Sequence, residues 1–309
     1  MAAKTSWSFA SCFTFLKEAL ILPTLLPKLF TPVSLLISFN IFLVLATNVF
    51  FSQPLTMDMV QLASKMQNTD PSSAEYARIM EEIKQDARQL ILITIAFAFV
   101  TVILGFFTQL VAFFAATTTC SGDRYSLPEL LMNAMKGNLK GPFITIALVT
   151  ILEVTSMALL AVLLSSMMKQ NSKLISIQVL LAFLAFLYFN IVGLVSIAVS
   201  VANTDCRGMC ALRQAWWLMT RVRRKEGLVL VVVAHLLPMV LGPLYLVALA
   251  YTKKSMALGL CLMAMYALLS GAVQLFIFVA ATVYYFEATN SKDVMAYAYT
   301  KIPTGEPNC

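Results

Sequence analysis

With 60% hydrophobic and 12% charged residues in 309 positions and a mean hydropathy of +0.83, the chain departs from soluble domains, in which about a quarter of residues are charged. The net charge of +7 comes from bases lying between apolar stretches rather than in one block, which argues against a nucleic-acid surface. One histidine in the whole chain leaves no HExxH pair and no histidine-built metal centre.

In chain order, Met1–Lys28 carries Lys17, Glu18, Pro23 and Pro27 inside its apolar part, unlike the uninterrupted core of a cleavable signal. Residues 1–32 are expected to form a cytosolic tail. Its stripe of Phe9, Cys12, Phe13, Leu16 and Leu20, spaced by three and four, predicts an amphipathic helix.

Six apolar stretches follow at 33–52, 90–116, 143–168, 174–202, 228–251 and 256–286. Each meets the ~20 residues that cross the hydrocarbon core as a helix. Because lipid offers no hydrogen bonds to the backbone, and uninterrupted apolar runs exclude the alternation of a barrel, the expected fold is all-α: a polytopic bundle of six transmembrane helices in one membrane domain, 1–309.

The connection 53–89 holds six acids and four bases and is expected on the outer side. Met59, Val60, Leu62, Ala63 and Met66 predict a short helix over 56–67, and Ser72-Ser-Ala-Glu75 resembles a capping box opening a helix from Ala74 into the second span. The connections 117–142 and 203–227 are expected on the cytosolic side, each with an amphipathic helix. The stripes are Leu127, Leu130, Leu131, Ala134 and Met135, then Leu212, Ala215, Trp216 and Met219. In Ser126-Leu-Pro-Glu129 the serine caps the helix and the glutamate faces the positive end of its dipole.

Basic residues and turn signals follow each stripe: Lys28 with Pro27 and Pro32, then Lys136 and Lys140 with Gly141-Pro142, then Arg221, Arg223, Arg224 and Lys225 with Gly227. The order of amphipathic helix, span, outer turn and span therefore recurs three times, which predicts three repeated units. Residues 287–309 form the last cytosolic tail. With both termini in the cytosol, 14 of the 22 Lys and Arg lie on that side, as the positive-inside rule requires. The membrane is expected to be the endoplasmic reticulum, another endomembrane or the plasma membrane.

Chemistry-bearing residues are few. Glu153 and His235 are the clear ionisable groups within the spans, ~16 Å and ~12 Å beyond their cytosolic entries at 1.5 Å per residue, so they are placed to meet at similar depth. A charge there costs ~2.5 kcal/mol or more, so both are expected to face protein. Two readings stay open. One is a polar or proton-coupled site assisted by Asn190, Gln109 and Gln274, with Pro238 and Gly242-Pro243 loosening the fifth span; the other is a pair of neutral groups hydrogen-bonded between helices.

Arg221, Arg223, Arg224 and Lys225 are candidate contacts to anionic lipid headgroups. Cys12, Cys120 and Cys206 are candidate S-acylation sites at the membrane border. Disulfides are not expected on a cytosolic face, and Cys206-x-x-x-Cys210 lacks the second ligand pair of a zinc site. No Gly-rich phosphate loop or GxSxG elbow is present, so the expectation is a non-enzymatic protein without cofactor, a membrane organiser or accessory subunit with membrane-protein partners. A small transporter is the alternative.

The segments Phe15-Leu-Lys-Glu-Ala-Leu20, Thr119-Cys120 and Asp205-Cys-Arg-Gly-Met-Cys-Ala-Leu-Arg-Gln-Ala-Trp-Trp-Leu-Met-Thr-Arg221 give the chain a likeness to a family. It resembles plant multi-span membrane proteins related to the membrane domain of glycerophosphoryl diester phosphodiesterases. The resemblance implies a six-span plant membrane protein. It implies no phosphodiesterase, since the hydrolase is a separate barrel domain, and it carries over no catalytic residue; tryptophans stand here where those proteins have a serine.

Overall fold

A computed structural model describes residues 13–122, 126–136, 140–170, 173–203, 205–252 and 254–300, and every element in it is helical. The order is α1 (Thr14–Leu25), α2 (Pro27–Thr47), a π turn (Asn48–Ser52), α3 (Gln53–Gln67), α4 (Ala74–Cys120), α5 (Leu127–Lys136), α6 (Lys140–Gln170), α7 (Lys173–Ala202), α8 (Met209–Trp217), a second π turn (Leu218–Val222), α9 (Arg224–Thr252) and α10 (Met256–Thr300). Six helical stretches are long and apolar enough to cross a membrane: Pro27–Gln67, Ala74–Cys120, Lys140–Met167, Ile177–Ala202, Arg224–Thr252 and Met256–Asn290. By length and composition the chain is an all-α, multi-pass membrane protein.

Several helices outrun their apolar cores. Gly141-Pro142 and Gly227 lie in the first turns of α6 and α9 instead of breaking the chain before them, and Pro27 opens α2. A proline in a first turn loses no hydrogen bond, because the early N–H groups have no intrahelical partner. Pro32, Pro238 and Pro243 are accommodated inside helices. The cap of α4 is Ser73, whose hydroxyl accepts the Tyr76 N–H at 3.2 Å, not the box expected from Ser72. Ser72 instead donates its N–H and hydroxyl to Asp70, which holds that carboxyl below the usual range. At α5 the contact observed is Glu129, placed at the positive end of the helix as expected, accepting the Ser126 N–H at 2.9 Å. That bond lowers the Glu129 pKa, so the cap holds above the carboxyl's ordinary titration and weakens as pH falls through the depressed value.

The chain divides into two compact units. Unit 1 comprises 1–33, 109–239 and 273–309; unit 2 comprises 34–108 and 240–272. In unit 2, Val49, Ala248 and Met263 form a buried cluster with Phe42, Leu45, Leu249 and Leu262 around it. The Asn48 side-chain amide donates to the Tyr245 hydroxyl at 3.3 Å, giving one polar contact within an apolar core.

In unit 1, α6 packs on α7, and α7 on α8. Small residues make this possible. A Cβ at Gly193 of α7 would come within 2.8 Å of the Val149 side chain of α6, so that side chain seats directly on the α7 backbone, where only glycine leaves room. Phe113 of α4 packs at 5.1 Å on Phe278 of α10 with the rings tilted by 39°, and Phe15 of α1 meets Tyr284 edge-on at 6.1 Å. In α1 the buried positions are Phe15 and Ala19, whereas Phe13 and Leu20 of the expected stripe are exposed; Phe9 and Cys12 lie outside the described residues.

Candidate functional site

Glu153 sits in the middle of α6 and Asn190 in α7, and the close approach at Gly193 brings them together. Asn190 Nδ2 donates to Glu153 Oε1 at 3.3 Å. This is the expected interhelical polar contact, with the amide as the carboxyl's partner. His235 is not part of it. Its Nδ1 lies 2.8 Å from the Val231 carbonyl oxygen one turn back on α9, so the imidazole satisfies its own helix. The expected meeting of Glu153 and His235 is therefore not observed; similar depth does not fix rotation about the helix axis.

The Glu153–Asn190 pair borders a groove of about 260 Å³. Val149, Leu152, Phe186, Phe189, Met209 and Leu212 supply its apolar wall, and Ser156 and Gly193 complete it. Gln109 and Gln274 do not line it. The contribution of α8 through Met209 and Leu212 was not legible in the sequence, because it depends on a turn.

That turn includes residues 205–208. Gly208 has φ +54 and ψ −118, a conformation that favours glycine, and its N–H is accepted by the buried Thr145 hydroxyl of α6 at 2.9 Å. The same fold brings the Cys206 and Cys210 Cα atoms to 5.4 Å and joins the two as a disulfide, within the span that such bonds bridge. This corrects the expectation of free thiols: Cys206 is buried and bonded, so it is not an acylation site in this form. Cys120, at the end of α4, remains a half-buried free thiol.

The basic cluster after α8 also separates. Arg223 pairs with Glu287 of α10, the two side chains being 26% and 21% exposed, and its backbone carbonyl and that of Leu218 each lie 3.2 Å from the Tyr284 hydroxyl, which shares one proton between them. Arg223 thus ties the π turn to α10 through Glu287. Arg213, Arg221, Arg224 and Lys225 are exposed. The buried stripe beneath them is Ala211, Ala215, Leu218 and Met219, rotated from the expected one: Leu212 is half-buried, and Trp216 is 42% exposed, flanking the core with its ring stacked on Phe189 and edge-on to Tyr188, each at 5.4 Å. The buried positions keep the i, i+4, i+7, i+8 spacing of an α-helix, so the difference is a rotation of the helix by about one residue and not a break in its period.

A family model described as a domain of unknown function (DUF8558) matches residues 3–291. The chain belongs to the DUF8558 family. No curated protein and no solved structure matches it. Among the described residues no three or more His, Cys, Asp or Glu side chains are grouped to hold a metal ion.

Proposed function

We propose that this DUF8558 protein is a non-enzymatic membrane organiser or accessory subunit that engages anionic lipid headgroups through the exposed bases around the second π turn. The observation carrying this reading is the division of that segment. Arg223 is tied to Glu287 and holds the segment in place, while Arg213, Arg221 and Arg224 stay exposed beside exposed Trp216 and Trp217. Indole at a membrane border and nearby bases together favour an anionic interface, each base contributing ~1 kcal/mol.

The transporter alternative has less support, since His235 bonds to its own helix and the groove meets Glu153 without it. The cytosolic placement of both termini, the endomembrane or plasma-membrane location, the three repeated units and the plant-family likeness belong to the same proposal. The order of a short helix before each pair of long helices supports the repeat.

In nanodiscs containing phosphatidylserine or a phosphoinositide, a triple Arg213→Gln, Arg221→Gln, Arg224→Gln variant should lose enrichment of anionic lipid about tenfold or more, most strongly at low salt where screening is least. Orientation is checked first: Asp70→Thr makes Asn68 a glycosylation acceptor, which should be modified if 53–89 faces the lumen or exterior. Unchanged lipid preference in a correctly oriented triple variant contradicts the proposal.

A further inference from the structure

We propose that the groove beside Glu153 binds a slender membrane-dissolved amphiphile whose head carries a hydrogen-bond donor, the head on Glu153 and Asn190 and the apolar body along Phe186, Phe189 and Leu212. This is independent of the headgroup contacts of Arg221 and its neighbours, so either stands if the other fails.

Size gives the first constraint. At about 260 Å³ the groove exceeds the ~150 Å³ that accepts a benzene ring but falls below the ~300 Å³ at which sites for whole drug-sized ligands begin. It holds the head and first part of a slender molecule, with the remainder in the bilayer. Access agrees. Leu152, Phe189 and Met209 line the groove yet are 42%, 52% and 65% exposed, so it opens sideways beside the exposed apolar surface of Ile151 and Val154. A ligand arriving through the acyl phase enters without crossing a polar wall.

The polar inventory sets the head chemistry. An ionised carboxylate offers two oxygens with about four acceptor sites, and only Glu153 Oε1 is bonded, by Asn190. Among the described residues neither Glu153 Oε2 nor Asn190 Oδ1 has a recorded partner. The Ser156 hydroxyl spends its proton on the Leu152 carbonyl at 2.6 Å. The wall is thus rich in acceptors, and at this depth an unmatched acceptor is costly. A hydroxyl or an ammonium on an otherwise apolar molecule supplies what is missing; a cation without an apolar body would face one carboxyl and a hydrocarbon wall.

The test uses the full-length protein in nanodiscs with three photoactivatable probes: a sterol with a hydroxyl head, a long-chain amine, and a phosphatidylcholine whose head has no donor. The sterol or the amine should label peptides around Leu152–Ser156 and Phe186–Asn190 at least tenfold more than the phosphatidylcholine, and unlabelled parent should compete. Ser156→Phe, which fills the groove while leaving the Glu153 carboxyl in place, and Glu153→Leu should each cut labelling tenfold. With Glu153→Gln, retained sterol labelling assigns a hydroxyl head, and selective loss of amine labelling assigns an ammonium; either supports the site. Equal labelling by phosphatidylcholine, or full labelling of monodisperse Ser156→Phe and Glu153→Leu proteins, overturns it. Should those variants not fold, equal competition by the O-methylated sterol or the quaternised amine in the wild-type protein overturns it as well.

Discussion

Gly193→Leu should be the most damaging single substitution in unit 1, costing upwards of ~3 kcal/mol, the top of the range for overpacking. The first added carbon alone would lie 2.8 Å from Val149 Cγ1, a contact that neither helix relieves without moving. Once α6 and α7 separate, Asn190 no longer reaches Glu153, so the carboxyl loses its donor as well as its packing. The measurement is the midpoint of thermal unfolding in mild detergent, followed by size-exclusion fluorescence. Adding Val149→Ala should restore part of the loss, because it removes the side chain that is struck. A midpoint unchanged by Gly193→Leu would show that this approach does not support the fold.

Arg223→Leu is expected to be the second largest, at roughly 2 kcal/mol, below the ~3–5 kcal/mol of fully buried pairs because both partners keep some solvent contact. It strands the Glu287 carboxylate of α10 and removes the side chain that fixes the π turn. Glu287→Leu alone should cost a similar amount, and the double variant less than the two together, since no charge is then left behind. This coupling separates an internal anchor from a headgroup contact. Additive losses that vanish at high salt would instead assign Arg223 to the exposed basic face.

The sequence and the structure agree where hydrocarbon sets the rules. A run such as 228–251 has one physical solution in lipid, so the existence and type of all six spans were legible from apolar length alone. The helical connection was legible for a related reason: Ala74 onwards carries both a serine cap and an uninterrupted apolar continuation into α4. Rotational facts were not legible. Glu153 and His235 lie at comparable depths, but whether two spans turn those faces toward one another depends on packing at positions such as Gly193, which a single apolar sequence leaves open. The stripe of α8 differs in the same way, by rotation: Ala211 is buried and Trp216 exposed, although both phases satisfy the 3.6-residue period. A cytosolic compartment argues against a bond between Cys206 and Cys210, whereas the positive-φ Gly208 between them brings the two together in a disulfide.

The groove holds the one carboxyl of α6 and decides between a protein that works in the lipid phase and one that conducts a solute through water. Its hydration is directly measurable. With Cys12, Cys120, Cys261 and Cys309 replaced by alanine, a cysteine at Ser156 lies in the groove wall beside Glu153. A lipophilic maleimide is expected to modify this cysteine, while a charged, membrane-impermeant thiosulfonate applied from either side does not. Rapid modification by the charged reagent from both sides would establish a water-filled path past Glu153 and contradict the reading of this protein as a non-transporting membrane organiser.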